Sequence, residues 1–395
     1  MKAPSNVVGI DLGNSSLKAV RLQKKGDQYA LARVAMVANS RNPQDQALPT
    51  EQAVVAQIKE IAGMVKASGA EVHLTINSLN STIRYVDLPH MPIDEIRAAL
   101  KLNSAAYLRQ TFENYTFDIC SLDAEGAAAL TSKIRKVKGA PAPSHGKSKS
   151  LVAGISTAEV VLYFHAVRRA GIKPRSLQLA PISLMSAFEA AYPQLMEGQA
   201  VALLDMGFFS SSFTILERGK PSLTRPVPIG GKHITDYMAQ LSSSDFAKAE
   251  AAKLQGDPGL GDSVARTCAP LVREVRGAIN FFEKNSDHAI SKIYLSGASA
   301  RSQAVVDALG QDIGVLCEIW NAANGMQIEL PADQQSLFAQ NQVAFAVAIG
   351  AARSVARGAT PVAAAPAPAS KSTVQPPAGP PAGAKTGVQL PPPKT

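Results

Sequence analysis

Two stretches of the chain share one pattern of apolar and polar positions. "VVGIDLGNSSLKAVRLQKKG" at 7–26 and "VALLDMGFFSSSFTILERGK" at 201–220 each run through an apolar segment, Asp-x-Gly, a short polar turn, a second apolar segment and a Lys/Gly turn. That order predicts a β-hairpin with a polar tip, used twice. Each copy is followed by an apolar stripe at helical spacing. One is "EQAVVAQIKEIAGMVKAS" from Glu51; the other is "PLVREVRGAINFFEKN" from Pro270, whose Leu271, Val275, Ala278, Ile279 and Phe282 share a face. The pattern predicts two related α/β lobes.

Between them lies a smaller unit of different rhythm. "STIRYVDLP", "NYTFDICSL" and "SLVAGIST" read as strands, "IDEIRAALKLNSAAYLRQ" as one amphipathic helix, and "AEVVLYFHAVRRAG" as a helix stopped by Gly171 and Pro174. The expected division is a first part of lobe one at 1–77, an inserted α+β subdomain at 78–165, a return helix and crossover at 166–199, lobe two at 200–355, and a tail at 356–395. The tail is rich in Pro and Ala with few large apolar residues, so it cannot repay the entropy of folding. The stretch 131–150 reads as a long basic loop.

Composition narrows the function classes. Net charge is +9, but residues 131–150 hold six Lys or Arg and 356–395 hold four, both without an acid, so the remainder stands at −1. Basic appendages on a near-neutral body fit solvated segments or an anionic membrane face, and no basic helix or aromatic platform for nucleic acid is present. Cys120, Cys268 and Cys317 are far apart without a C-x-x-C spacing, and the six histidines show no metal spacing. The opening "MKAPSN" shows no apolar signal core, and "VAFAVAIGAA" at 343–352 is about half the length of a membrane span. The expectation is a cytoplasmic protein without a span.

A carboxylate at the end of an apolar strand is costly unless something pairs with it. Asp11 and Asp205 stand at such positions, and together they suit a hydrated Mg²⁺, which takes few carboxylates. Two hairpin tips facing each other could grip a phosphate chain, because Gly permits close backbone approach and turn N–H groups and hydroxyls donate to phosphate. The candidates are Gly13, Asn14, Ser15, Ser16 and Lys18 on the first copy and Gly207, Ser210 and Ser211 on the second. "KIYLSGASARS" adds Gly297, Ala298 and Arg301 at a strand-to-helix turn where a base or ribose can lie. "PIGGKHITDYM" and "AKAEAAKLQG" add Gly230, Gly231, Glu250 and Lys253 for ribose and base contacts. Singly, each is also an ordinary turn or a solvated helix face.

As an ordered set, these motifs resemble the actin and sugar-kinase superfamily. "GIDLGNSSLKAVRL", "IDEIRAALKLNSAAYL", "FHAVRRAGIKP", "PIGGKHIT" and "YLSGASAR" are similar to the PilM family of type IV pilus assembly proteins, over roughly residues 7–353. The resemblance implies a duplicated, ribonuclease H-like actin fold, ATP or ADP with Mg²⁺, and a place on the cytoplasmic side of the inner membrane. It also implies a groove for the N-terminal cytoplasmic peptide of a bitopic PilN-like partner, with Leu102, Tyr107 and Leu108 as candidates, alongside other pilus assembly components; homo-oligomerisation stays open. The chain departs from the family's pattern at Asn14, Phe208, Phe209, Ala298, Ser299 and above all Ala180, which stands where relatives carry an acid. A methyl group cannot polarise water, so weak or absent hydrolysis is expected and no catalytic residue is assigned. A small-molecule kinase of the same superfold is the rival reading, but it needs a positioned Asp base that the sequence does not offer.

Overall fold

A computed structural model describes residues 3–39, 48–123, 146–257 and 259–354. The tail and residues 131–145 of the basic stretch therefore lie outside the described residues.

The described strands form three sheets. β1 (Asn6–Leu12), β2 (Ser16–Lys25), β3 (Gln28–Ala38), β4 (Glu71–Ile76) and β8 (Pro174–Leu179) give the order β3-β2-β1-β4-β8. β9 (Ala200–Met206), β10 (Ser211–Glu217), β11 (Lys220–Val227), β12 (Lys292–Ser296) and β13 (Leu316–Ile319) give β11-β10-β9-β12-β13. The two orders are the same. In each, a hairpin meander is antiparallel and the fourth and fifth strands run parallel to the first. β5 (Ser81–Pro89), β6 (Tyr115–Ser121) and β7 (Lys147–Ser156) make a separate antiparallel sheet, β5-β7-β6.

The described α-helices, in chain order, are α1 (Glu51–Met64), α2 (Ile93–Leu102), α3 (Ser104–Leu108), α4 (Thr157–Arg169), α5 (Ala180–Ala191), α6 (Gly231–Ser242), α7 (Phe246–Gln255), α8 (Leu260–Glu283), α9 (Gln303–Ile313), α10 (Ala332–Asn341) and α11 (Ala346–Arg353). Three details differ from the sequence reading. The single helix expected at 93–110 is broken at Asn103, whose side-chain oxygen accepts from Ala106 N and so starts α3 afresh. The helix expected to start at Pro270 starts at Leu260, because its apolar stripe continues backward through Val264 and Cys268. The last part of the basic stretch is not loop: Lys147 to Ser150 pair with Val86 to Pro89.

The apolar run near the C-terminus is explained by packing. α11 lies across β1 and against α5 so closely that a side-chain carbon at Gly9 would fall 2.1 Å from Ala348 O, and one at Gly350 only 1.8 Å from Ser183 O. Glycine and alanine are what such an approach allows. Among the described residues no helix is long and apolar enough to cross a membrane. The two main sheets are joined by an aromatic cluster, in which Phe188 of α5 meets Tyr294 of β12, Trp320 and Tyr192 at centroid distances of 4.8, 5.0 and 5.2 Å. The small sheet and α2–α3 enclose their own core of Leu88, Ile96, Leu100, Leu108, Phe117, Ile119 and Val152. That unit touches the second lobe at Tyr85, whose hydroxyl lies 3.0 Å from Thr224 Oγ1.

Candidate functional site

Strand register places the two acids in equivalent surroundings. Asp11 lies between Lys18 on β2 and Thr75 on β4; Asp205 lies between Ser212 on β10 and Ser296 on β12. Both carboxylates are buried. In the first lobe, Lys18 Nζ sits 3.2 Å from Asp11 Oδ2 and donates to Ser16 O at 3.1 Å. In the second, Ser296 Oγ donates to Asp205 Oδ1 at 2.8 Å. Burial pushes the Asp11 carboxyl up, opposed by Lys18. Burial also raises Asp205, to about 6; the bond from Ser296 opposes this, the charge of Asp11 adds to it and that of Lys18 opposes it.

Each hairpin tip depends on its glycine. A side-chain carbon at Gly13 would be 2.5 Å from Ser16 O, and one at Gly207 2.7 Å from Ser210 O. The first tip is braced by Asn39, which donates to Gly13 O at 3.1 Å. Asn14 and Ser16 are half-buried at the tip and Ser15 is exposed. The second tip meets a residue that motif reading missed: Asn77, just past β4 in lobe one, whose amide nitrogen would be 3.0 Å from a carbon on Gly207. Nothing in "TINSLN" marks it; only the assembled fold brings the end of β4 beside the second tip.

The second tip also engages α6. Gly231 N and Lys232 N donate to Gly207 O and Phe208 O at 2.9 and 3.0 Å. Ser210 is buried, and Ser211 Oγ donates to Ile229 O at 2.6 Å, so that hydroxyl serves the hairpin rather than a ligand. Phe209 turns into the interior, while Phe208 is half-buried against Phe209 and Phe246.

The region of α6, α7 and the Gly297 turn is tightly built. Gly231 abuts Ser299, whose Oγ would be 1.9 Å from a side-chain carbon there. Lys253, read as a ribose or base contact, is 1 % exposed and donates to Glu250 Oε2 at 2.6 Å, Thr235 Oγ1 at 2.9 Å and Gly231 O at 3.3 Å. Three acceptors use its three protons, so its role here is to tie α7 to α6. Burial lowers its pKa, against the pull of Glu250. Glu250 keeps partial exposure. Gly230 lies beneath the Phe208 carbonyl. Gly297 has φ 94°, a conformation that favours glycine, and leads into the turn of Ala298 to Arg301. Arg301 donates to Ala298 O and to Asn341 Oδ1.

Ala180 begins α5 and is buried. The three groove candidates separate: Leu102 is 89 % exposed, Tyr107 is half-buried against the small core, and Leu108 is part of that core. Leu108 is thus unavailable to a peptide, because α3 turns it inward with Leu100 and Phe117.

Mg²⁺ keeps several waters and completes its shell with substrate phosphates. Asp11 and Asp205 fit it in that company; among the described residues no group of three or more His, Cys, Asp or Glu could hold a metal ion.

A profile of the type IV pilus assembly protein PilM matches residues 9–355. The chain belongs to the PilM family. Its fold is that of the protein in the structure "PilM-PilN type IV pilus biogenesis complex", with a TM-score of 0.72, 21% identity, and coverage of 89% of this chain and 98% of that one. More distant likenesses include the ethanolamine utilization protein EutJ from Carboxydothermus hydrogenoformans, with a TM-score of 0.47 and 14% identity over 89% of this chain and 90% of that one. Another is a protein with actin-like ATPase fold and unknown function from Bacteroides thetaiotaomicron, at 0.42 and 11% over 85% and 96%. This PilM-family chain contains two sheets of one topology, each ending its first strand in a buried acid followed by a glycine tip.

Proposed function

We propose that this protein is an actin-like scaffold of type IV pilus assembly that holds nucleotide between its two hairpins and docks the N-terminal cytoplasmic peptide of a PilN-like membrane protein. The observation that carries the nucleotide reading is the pair Asp11 and Asp205, buried at equivalent register positions, each followed by a glycine tip. ATP or ADP would arrive with Mg²⁺, which neutralises phosphate charge. Asn14, Ser15, Ser16 and Lys18 would face the phosphates from the first tip and the Gly207 backbone from the second, with Gly230, Gly297 and Glu250 toward the nucleoside. Hydrolysis is weak or absent, since Ala180 supplies neither a base nor a hydrogen-bond acceptor for water.

The partner reading is supported by membership of the PilM family and by likeness to a chain solved with PilN. It places the protein at the cytoplasmic face of the inner membrane, held there by its partner. Of the three groove candidates, Leu102 is exposed and Tyr107 half-buried, so these two would meet a peptide. Calorimetry decides between the parts: the full chain binds ADP with magnesium and, separately, a synthetic N-terminal peptide of the PilN-like protein from the same genome, and Leu102→Asp weakens only the second. Absence of peptide binding would remove the adaptor role. Multiple-turnover ATP hydrolysis abolished by Asp205→Ala would remove the claim of a non-hydrolysing site.

A further inference from the structure

The first hairpin contains a cation that the second lacks. Lys18 is buried, its Nζ is held by Asp11 Oδ2 and Ser16 O, and the position matching it in the second hairpin is Ser212. Gly13 closes over the pair: a side-chain carbon there would lie 3.0 Å from Nζ and 3.5 Å from Asp11 Oδ2. A solvated surface lysine would have neither the burial nor the fixed acceptors. A buried carboxylate without a counter-charge would draw a divalent cation strongly; an ammonium held against it cancels most of that attraction.

We infer that Lys18 is the resident counter-ion of the clamp: it neutralises Asp11 when the cleft is empty and keeps divalent cations from binding on their own. A second consequence rests on the nucleotide reading. With one positive charge already in place, ADP binds with little help from a metal, and Mg²⁺ enters only alongside phosphate oxygens.

Electron paramagnetic resonance of Mn²⁺ with the full, nucleotide-free chain tests the first consequence. Wild type is expected to take up Mn²⁺ at least about tenfold more weakly than Lys18→Met, Lys18→Arg to match wild type, and Lys18→Met combined with Asp205→Asn to lose the gained site. Equal Mn²⁺ affinity in wild type and Lys18→Met overturns the inference. Should Lys18→Met fail to fold, wild type alone decides: submillimolar Mn²⁺ binding removed by Asp205→Asn overturns it as well. For the second consequence, a fluorescent ADP analogue is titrated in magnesium and in EDTA; a loss under about tenfold in EDTA supports it and a larger loss overturns it. If the analogue binds under neither condition, the nucleotide reading falls while the Mn²⁺ comparison still judges Lys18.

Discussion

The two hairpins are one design with two electrostatic outcomes. Both place an acid on the first strand of an equivalent sheet, followed by glycine two residues on. In lobe one the cross-strand neighbour is a lysine, and the neighbour on the fourth strand, Thr75, is fully buried with its hydroxyl unpartnered. In lobe two the cross-strand neighbour is a serine, and the fourth strand supplies a hydrogen bond from Ser296. Burial raises both carboxyls, Asp205 to about 6; the bond from Ser296 opposes the rise in lobe two, and Lys18 opposes it in lobe one. Repetition of a fold thus preserves geometry more faithfully than charge.

The comparison can be broken hardest at Gly9. Its counterpart in register on β9 is Leu203, which the second lobe buries without difficulty. Gly9→Leu drives a side chain into the α11 backbone and should cost at least about 3 kcal/mol, read by chemical denaturation. Lys18→Met follows, at about 3 kcal/mol near pH 8, because it leaves Asp11 buried without a counter-charge. Asp205→Asn should act in the opposite direction. A raised carboxyl pKa means that the folded state holds the proton more tightly, so the contribution of Asp205 is most favourable below 3.8 and is lost as pH rises through about 6. The variant should therefore be more stable than wild type by roughly 2–3 kcal/mol at pH 8, with the gap closing below about pH 4. A gap that is flat with pH would mean that the Asp205 carboxyl is not raised as described. Smallest is Ser296→Ala, about 1 kcal/mol, with the Asp205 titration moving further upward in carbon-detected NMR.

Much of this was legible in the chain. The D-x-G hairpins, the two-lobed α/β plan and the inserted unit follow from apolar periodicity and glycine placement, which are local signals. Three readings needed the fold. Lys253 falls on a polar-looking helix face, yet α6 covers it; Ser211 sits beside a glycine tip, yet turns to Ile229 O. Leu102 and Leu108 look alike in an amphipathic stretch, and the break at Asn103 sends one to solvent and the other to the core. A helix-capping residue in mid-stripe changes which face is buried, and periodicity alone does not register that change.

By itself, then, the sequence determined where the turns fall, which segments alternate or repeat at helical spacing, and that one acid-glycine motif occurs twice. These depend on neighbours a few residues apart. Tertiary structure alone decided what each acid faces: Lys18 and Thr75 on one side, Ser212 and Ser296 on the other. Electrostatic environment is a sum over groups close in space, and parallel β4 and β12 bring their residues beside the acids only after long crossovers are complete.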